Sequence, residues 1–186
     1  MVRAISKWTL DLLGWQIKGQ YPEGLKQFVV IVMPHTSAWD FPLGLLVRAV
    51  VQADIRFVAK DSLFRSPFGW FFRWMGGYPV DRSKRGRYVD AVIDIFEKEE
   101  NFVVTIAPEG TREKVDRLRT GFYYIALGAG VPIVMVRFDY GRREVVISKP
   151  FWPSGDKDRD FPNIIDFFKD AQGKYPDKGI DEEVKY

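Results

Sequence analysis

His35 is the only histidine among 186 residues, and the chain contains no cysteine. Any chemistry that needs an imidazole therefore falls on His35, and a carboxylate, Asp40, follows five residues later. On one straight helix, residues i and i+5 do not share a face. A contact between them requires His35 in a turn and Asp40 at the start of a helix, with Ser37 as its N-cap and Pro42 in the first turn. A carboxylate bonded to one ring nitrogen fixes the tautomer and leaves the other nitrogen as a base. The missing cysteine excludes a disulfide framework, a thiolate nucleophile and an iron–sulfur cluster. The single histidine excludes an H-E-x-x-H zinc motif, and no metal site is expected. Ser37 stands in no G-x-S-x-G elbow, and no nucleotide-binding glycine loop occurs.

Three further segments stand beside this pair. Ala107-Pro108-Glu109-Gly110-Thr111-Arg112 offers backbone N–H groups, a hydroxyl and a guanidinium, a suitable cradle for an oxyanion such as phosphate. Gly76 to Arg82 (GGYPVDR) combines a glycine turn with a short extended piece ending in Asp81-Arg82. Val131 to Val136 (VPIVMV) is an apolar strand.

The elements that must position these residues follow from periodicity. Phe28–Met33, Ile55–Ala59, Phe102–Ala107, Val131–Phe138 and Glu144–Ser148 read as strands, with Tyr78–Val80 a short extended piece. Helices are predicted over Ser37–Val50, Ser62–Met75, Tyr88–Lys98, Gly121–Ala129 and Phe161–Ala171. Strands alternate with helices, and several strands are apolar throughout. That pattern indicates an α/β fold with a largely parallel or mixed central sheet covered by helices. His35 and Ala107–Arg112 both come just after a buried strand, where α/β proteins place their sites. The expected organisation is one domain over 1–186: an amphipathic helix in 1–20, a core in 26–150 and an acidic segment in 151–186.

Charge is uneven. Residues 1–153 hold 22 Lys/Arg against 16 Asp/Glu, whereas 154–186 hold 6 against 9. The surplus concentrates in 56–87, which includes Lys60 and Arg82, and it suits an anionic partner. Ile5, Trp8, Leu12 and Trp15 share one helical face; such a helix lies in a membrane interface or packs on the domain, and the stripe looks the same for either. Leu63–Trp74 carries six aromatics in 12 residues, including Phe68, Trp70, Phe71 and Trp74. It reads as a membrane or acyl-chain surface. No secretory signal and no spanning segment are read from the sequence, so the expectation is a cytoplasmic, peripheral protein.

Taken in order, the four segments resemble the glycerolipid acyltransferase superfamily, best known through the lysophosphatidic acid acyltransferases. His35 and Asp40 match the family's His-x4-Asp block, Gly77–Arg82 its second block, Pro108–Arg112 its Pro-Glu-Gly-Thr-Arg block and Val131–Val136 its fourth. The resemblance covers about residues 26–150; Ala107 stands in place of the usual Phe, and Glu113 where Ser is frequent. It implies acyl transfer from acyl-CoA or acyl-carrier protein to a lysolipid hydroxyl, with 1-acylglycerol-3-phosphate the default acceptor. A lyso-ornithine or lyso-glycine lipid is the other candidate. His35 would be the general base, oriented by Asp40. Backbone N–H groups near Gly110 would hold the oxyanion. Gly110, Thr111, Arg112, Arg82 and Lys60 would hold the anionic headgroup, and Glu109 would brace the loop and contact the headgroup. No permanent cofactor is implied. The partners are the lysolipid, a membrane surface on the inner face of the cell membrane and, for one donor, acyl-carrier protein.

Two other classes remain in view: a single-strand nucleic-acid-binding module using the 56–87 stretch, and a non-catalytic lipid binder. The intact His35 and Asp40 argue for the enzyme, for which no nucleic-acid partner is expected.

Overall fold

The apolar run at 27–33 forms the middle strand of a seven-stranded sheet. The computed structural model describes residues 1–80, 87–178 and 184–186, apart from the side chains of Lys60 and Arg87. In chain order the elements are α1 (Val2–Leu12), β1 (Gln16–Lys18), β2 (Gln27–Met33), α2 (Asp40–Val51), β3 (Ile55–Lys60), α3 (Asp61–Phe64), α4 (Gly69–Trp74), β4 (Gly77–Val80), α5 (Arg87–Lys98), β5 (Phe102–Ile106), α6 (Gly121–Ala129), β6 (Ile133–Asp139), β7 (Glu144–Ile147) and α7 (Lys157–Phe168). The strands lie in the order β1-β7-β6-β2-β5-β3-β4. Neighbours are parallel except β6 and β7, which are antiparallel.

Successive residues of β2 point to opposite faces of the sheet, and both faces are covered. Val29, Ile31 and Met33 pack with Val92 of α5, Phe122 and Ile125 of α6 and Ile164 of α7. Phe28 and Val30 pack with Leu10 of α1 and Leu43 and Val47 of α2. Each fully buried side chain of this size stabilises the fold by about 1.5–3 kcal/mol. A strand inside two such layers can be apolar at every position, which is why no alternation marks it in the sequence.

This layering sets where a site forms. From β2 the chain crosses by α2, on one face, to β3 on the far side of β5. From β5 it crosses by α6, on the other face, to β6 on the far side of β2. The two connections leave in opposite directions, so a crevice opens between the carboxyl ends of β2 and β5. Val30 and Ile31 pair with Thr105 and Ile106 there, which brings the segments after Met33 and after Ile106 side by side.

Three expectations need correction. The helix expected over Ser62–Met75 is two short helices, α3 and α4, broken at Ser66-Pro67. The break is tight: a Cβ on Gly69 would overlap the Phe64 carbonyl. The last helix starts at Lys157, capped by the Asp156 carboxylate, which accepts from the Asp158 and Arg159 N–H groups, and it stops at Phe168. Trp15 is not part of the α1 stripe. The helix ends at Leu12, Gly14 turns the chain with φ +75°, and Trp15 is buried against Tyr140, ring edge to face at 4.9 Å. β1 was not anticipated; three residues are too few to give a period-2 signal.

The rest of the stripe faces out. Ile5, Trp8 and Leu12 are 57–69% exposed, while Ser6 and Leu10 hold α1 against the domain. Phe68, Trp70 and Trp74 on and before α4 are more than 60% exposed, and Phe71 less so. Among the described residues no helix is long and apolar enough to cross a membrane.

Candidate active site

His35 sits in the turn after β2, and its Nδ1 lies 3.0 Å from Asp40 Oδ2. The spacing works because of how the chain enters α2. The Ser37 Oγ accepts from the Trp39 N–H at 3.1 Å, and Asp40 Oδ2 accepts from the Ser37 N–H at 3.0 Å. The Asp40 N–H goes to the Ser37 carbonyl at 3.3 Å, so this is a turn braced by two side chains just ahead of the regular helix, which counts from Asp40 with Trp39 at its N-cap. The turn folds the Asp40 side chain back over Ser37 and hence onto the imidazole two residues before. Asp40 is almost fully buried and sits in the first turn of α2, where the helix dipole favours a carboxylate.

A third donor completes the carboxylate. The Tyr140 hydroxyl, just past β6, donates to Asp40 Oδ1 at 2.7 Å. Burial, and then the bond and charge of Asp40, push the Tyr140 phenol far above its ordinary pKa, so it stays a donor. Nothing in the sequence linked the two residues, which stand 100 positions apart.

Glu109 is placed as a brace of its loop. It is 4% exposed, and its Oε2 accepts from the backbone N–H of His35 at 2.8 Å. Among the described residues its Oε1 is buried with no hydrogen-bond partner. Burial pushes the carboxyl up to about 7; the bond from His35 and the His35 charge oppose this, and the Asp40 charge adds to it. Glu109 is thus a brace that ties the loop after β5 to the histidine's own main chain.

The Gly110 N–H donates to the Ala107 carbonyl at 3.0 Å, so the expected oxyanion donor is spent inside the turn. Gly110 has φ +69°, and a Cβ there would overlap the Arg119 guanidinium, which packs across the loop. Arg119 was missed in the sequence; only this close approach marks it. Arg112 and Thr111 are exposed at the crevice, and the Thr111 Oγ1 accepts from the Glu113 N–H at 3.3 Å. Arg82 lies outside the described residues. Lys60 ends β3, and its side chain is outside the description.

Two cavities meet at this point. An apolar one of about 340 Å³ runs between α2 and the sheet, past Phe41, Gly44 and Val47, and reaches Tyr21 and Phe28 at the opposite sheet edge. Phe28 to Met33 spans about 17 Å at the rise of a strand. A second cavity of about 840 Å³ opens on the α6 side, with Thr111, Arg119 and Gly121 on its wall. His35, Thr105, Ala107 and Arg112 line both. An arrangement of this kind can seat a long apolar chain and a polar, anionic group on either side of one imidazole. Residues 171–178 cross over the outside. The Tyr175 N–H donates to the Thr36 Oγ1 at 3.2 Å, and Lys178 Nζ lies 2.8 Å from Glu113. Among the described residues no group of His, Asp and Glu is arranged to hold a metal ion.

Of the basic side chains described in the 56–87 stretch, Arg56 pairs with Asp54 at 3.0 Å and Arg65 with Asp61 at 2.5 Å, while Arg73 donates to the Phe64 carbonyl.

A family model described as Acyltransferase matches residues 16–139. The 1-acyl-sn-glycerol-3-phosphate acyltransferase of Haemophilus influenzae is 25% identical over 83% of this chain and 67% of its own length. The human beta form is 27% identical over 78% of this chain and 58% of its own, and the Saccharomyces cerevisiae enzyme 32% over 67% and 43%. The chain therefore spans from under half to two thirds of these relatives. Among solved structures, the 1-acyl-sn-glycerophosphate (LPA) acyltransferase PlsC from Thermotoga maritima is similar at a TM-score of 0.54 and 21% identity. The match covers 89% of this chain and 74% of that one, a likeness of fold.

Proposed function

The chain belongs to the acyltransferase family, and on that premise we propose that it transfers a fatty acyl group from an acyl thioester to the hydroxyl of 1-acylglycerol-3-phosphate, giving phosphatidic acid. The observation that carries the reading is the meeting of an apolar and a polar cavity at His35. The acyl chain lies in the apolar cavity under α2, with its thioester carbonyl beside His35. The phosphate of the acceptor lies on the α6 side against Arg112 and Arg119, the first a bidentate donor suited to phosphate oxygens.

Asp40 holds the Nδ1 proton of His35, so Nε2 is the free base. Nε2 removes the proton of the acceptor hydroxyl as its oxygen attacks the thioester carbonyl. The carbon–sulfur bond then breaks, and the imidazolium returns its proton to the leaving thiolate. Asp40, with Ser37 and Tyr140 fixing its orientation, stabilises the imidazolium between the two steps. No acyl-enzyme is required, in keeping with the absence of cysteine. The donor is acyl-CoA or acyl-carrier protein, and no permanently bound cofactor takes part.

The exposed apolar residues of α1 and of Phe68–Trp74 support peripheral attachment to a membrane, on the cytoplasmic side where the thioester donors are found. Partition of Trp side chains into the headgroup layer suits such faces.

Radiolabelled acyl-CoA and acyl-carrier protein, offered with lysophosphatidic acid, test the reading. The parent chain forms phosphatidic acid and His35→Ala is slower by about 10²–10⁴-fold, the contribution of a positioned general base. Equal acylation by both forms would overturn the mechanism, and acylation of a lyso-ornithine or lyso-glycine lipid alone would replace the acceptor.

A further inference from the structure

A third concavity, of about 580 Å³, lies outside the two that meet at His35. It runs between the end of α1 and the first turns of α2. Leu12, Leu13, Pro42, Leu43 and Leu46 make its aliphatic lining. Leu12 and Leu13 are at least half exposed, so this lining is continuous with the outward face of α1.

Two cations border it. Lys174 Nζ lies 4.9 Å from the centre of the Trp39 ring and 5.9 Å from that of Tyr140. Arg143 is held there by its surroundings. Its backbone takes φ +53°, a left-handed conformation uncommon outside glycine, and its guanidinium donates to the Leu13 carbonyl at 3.1 Å. Gly14 makes room for it: a Cβ there would stand 3.2 Å from the guanidinium. The bond to Leu13 uses one of five guanidinium donors. Among the described residues neither Arg143 nor Lys174 forms an ion pair.

A groove with an aliphatic lining and two cations without carboxylate partners fits one kind of occupant. A soluble phosphate would leave the leucines wet, and a neutral lipid would leave both charges unanswered. We propose that this groove binds one anionic phospholipid of the host membrane, its phosphate between Arg143 and Lys174 and the upper part of one acyl chain along Leu12, Pro42 and Leu46. The site is separate from the substrate cavities, and it rests on the peripheral attachment proposed above. Its floor includes Tyr140, the donor to Asp40, and Trp39, the residue before Asp40. The occupant thus lies against Tyr140, one of the donors to the Asp40 carboxylate.

The test uses the full chain on phosphatidylcholine vesicles containing a minor fraction of phosphatidylglycerol with a photoactivatable group high on its acyl chain. After irradiation, cross-linked peptides are identified by mass spectrometry. The expected labels fall on Leu12–Trp15 and Trp39–Leu46. Loss of two basic contacts near the surface weakens binding about 30-fold, so the double variant Arg143→Gln/Lys174→Gln loses that labelling while still sedimenting with vesicles through α1. Leu46→Trp, which fills the groove and keeps both charges, also loses it; this second variant covers the case in which Arg143→Gln disturbs the end of α1. Equal labelling by a phosphatidylcholine probe of the same chain overturns the proposal. So does label confined to Ile5, Trp8 and Leu12, or label unchanged in both variants. Cross-linking needs no turnover, and His35→Ala is labelled like the parent. Failure of the groove therefore leaves the acyl-transfer assay intact, and failure of that assay leaves the cross-links readable.

Discussion

The carboxyl group of Glu109 links the site to the stability of the whole chain. It is buried, bonded by one oxygen to the His35 N–H and by the other to none of the described residues, and its pKa is raised to about 7 from an ordinary 4.5. A raised acid binds its proton more tightly in the folded chain than in the unfolded one. Its stabilising contribution is complete below pH 4.5 and is lost as pH rises to about 7. The span corresponds to about 3 kcal/mol. Glu109→Gln keeps a carbonyl oxygen for the His35 N–H and cannot ionise. Its amide protons meet the place where Oε1 had no partner, a pH-independent cost on the order of 1–3 kcal/mol. The comparison therefore lies in the difference between the two pH profiles. Between pH 4.5 and 8, the stability of the variant should gain about 3 kcal/mol relative to the parent. In a chain of this size that is a relative rise in Tm of roughly 6–12 °C. Thermal unfolding followed by circular dichroism, at matched ionic strength across that range, reads it directly. Parallel profiles would refute the reasoning, because they would mean that Glu109 ionises as freely in the fold as outside it.

Two further substitutions address the chemistry and the chain it accepts. Tyr140→Phe removes the 2.7 Å bond to Asp40 and leaves a buried carboxylate oxygen short of a donor, at a cost of about 1.5–3 kcal/mol. Turnover should fall roughly tenfold with KM for the acceptor unchanged, since the residue acts through Asp40; a rise in KM alone would make Tyr140 a substrate contact. Gly44 faces the apolar cavity from α2, and a Cβ there meets only Phe138, at an ordinary 3.8 Å. Gly44→Phe should shift the preferred acyl chain to shorter lengths in a competition assay, while Gly44→Ala keeps the parent's preference and gains about 0.5–1 kcal/mol from helix propensity. An unchanged preference in the Phe variant would place the acyl chain elsewhere.

Much of this site could be read from short-range pattern. The His35–Asp40 spacing encodes the turn into α2, and that turn is local: Ser37 and Asp40 are enough to brace it. The β2, β5 and β6 runs could be recognised because buried parallel strands are apolar throughout. What escaped was long-range. Tyr140 reaches Asp40 from the end of the neighbouring strand β6, Arg119 crosses Gly110 only because the loop folds back, and the 171–178 crossing depends on where α7 ends. That Glu109 braces its loop could be expected; its burial could not, because an acidic residue in a polar loop gives no sign that it will be buried. Trp15 was counted in the α1 stripe because helical spacing continues on paper past Gly14, where the chain itself turns.

The pairing of β1 with β7 carries a consequence for synthesis. Lys18 and Glu144 meet across 126 residues, and β1 has no other strand beside it. As the chain is made, α1 leaves the ribosome long before the edge that will anchor β1 exists. Its outward Ile5, Trp8 and Leu12 are meanwhile available to any apolar surface nearby. Closure of this edge therefore comes last, once β7 has been made, and it joins the first strand of the sheet to the final one.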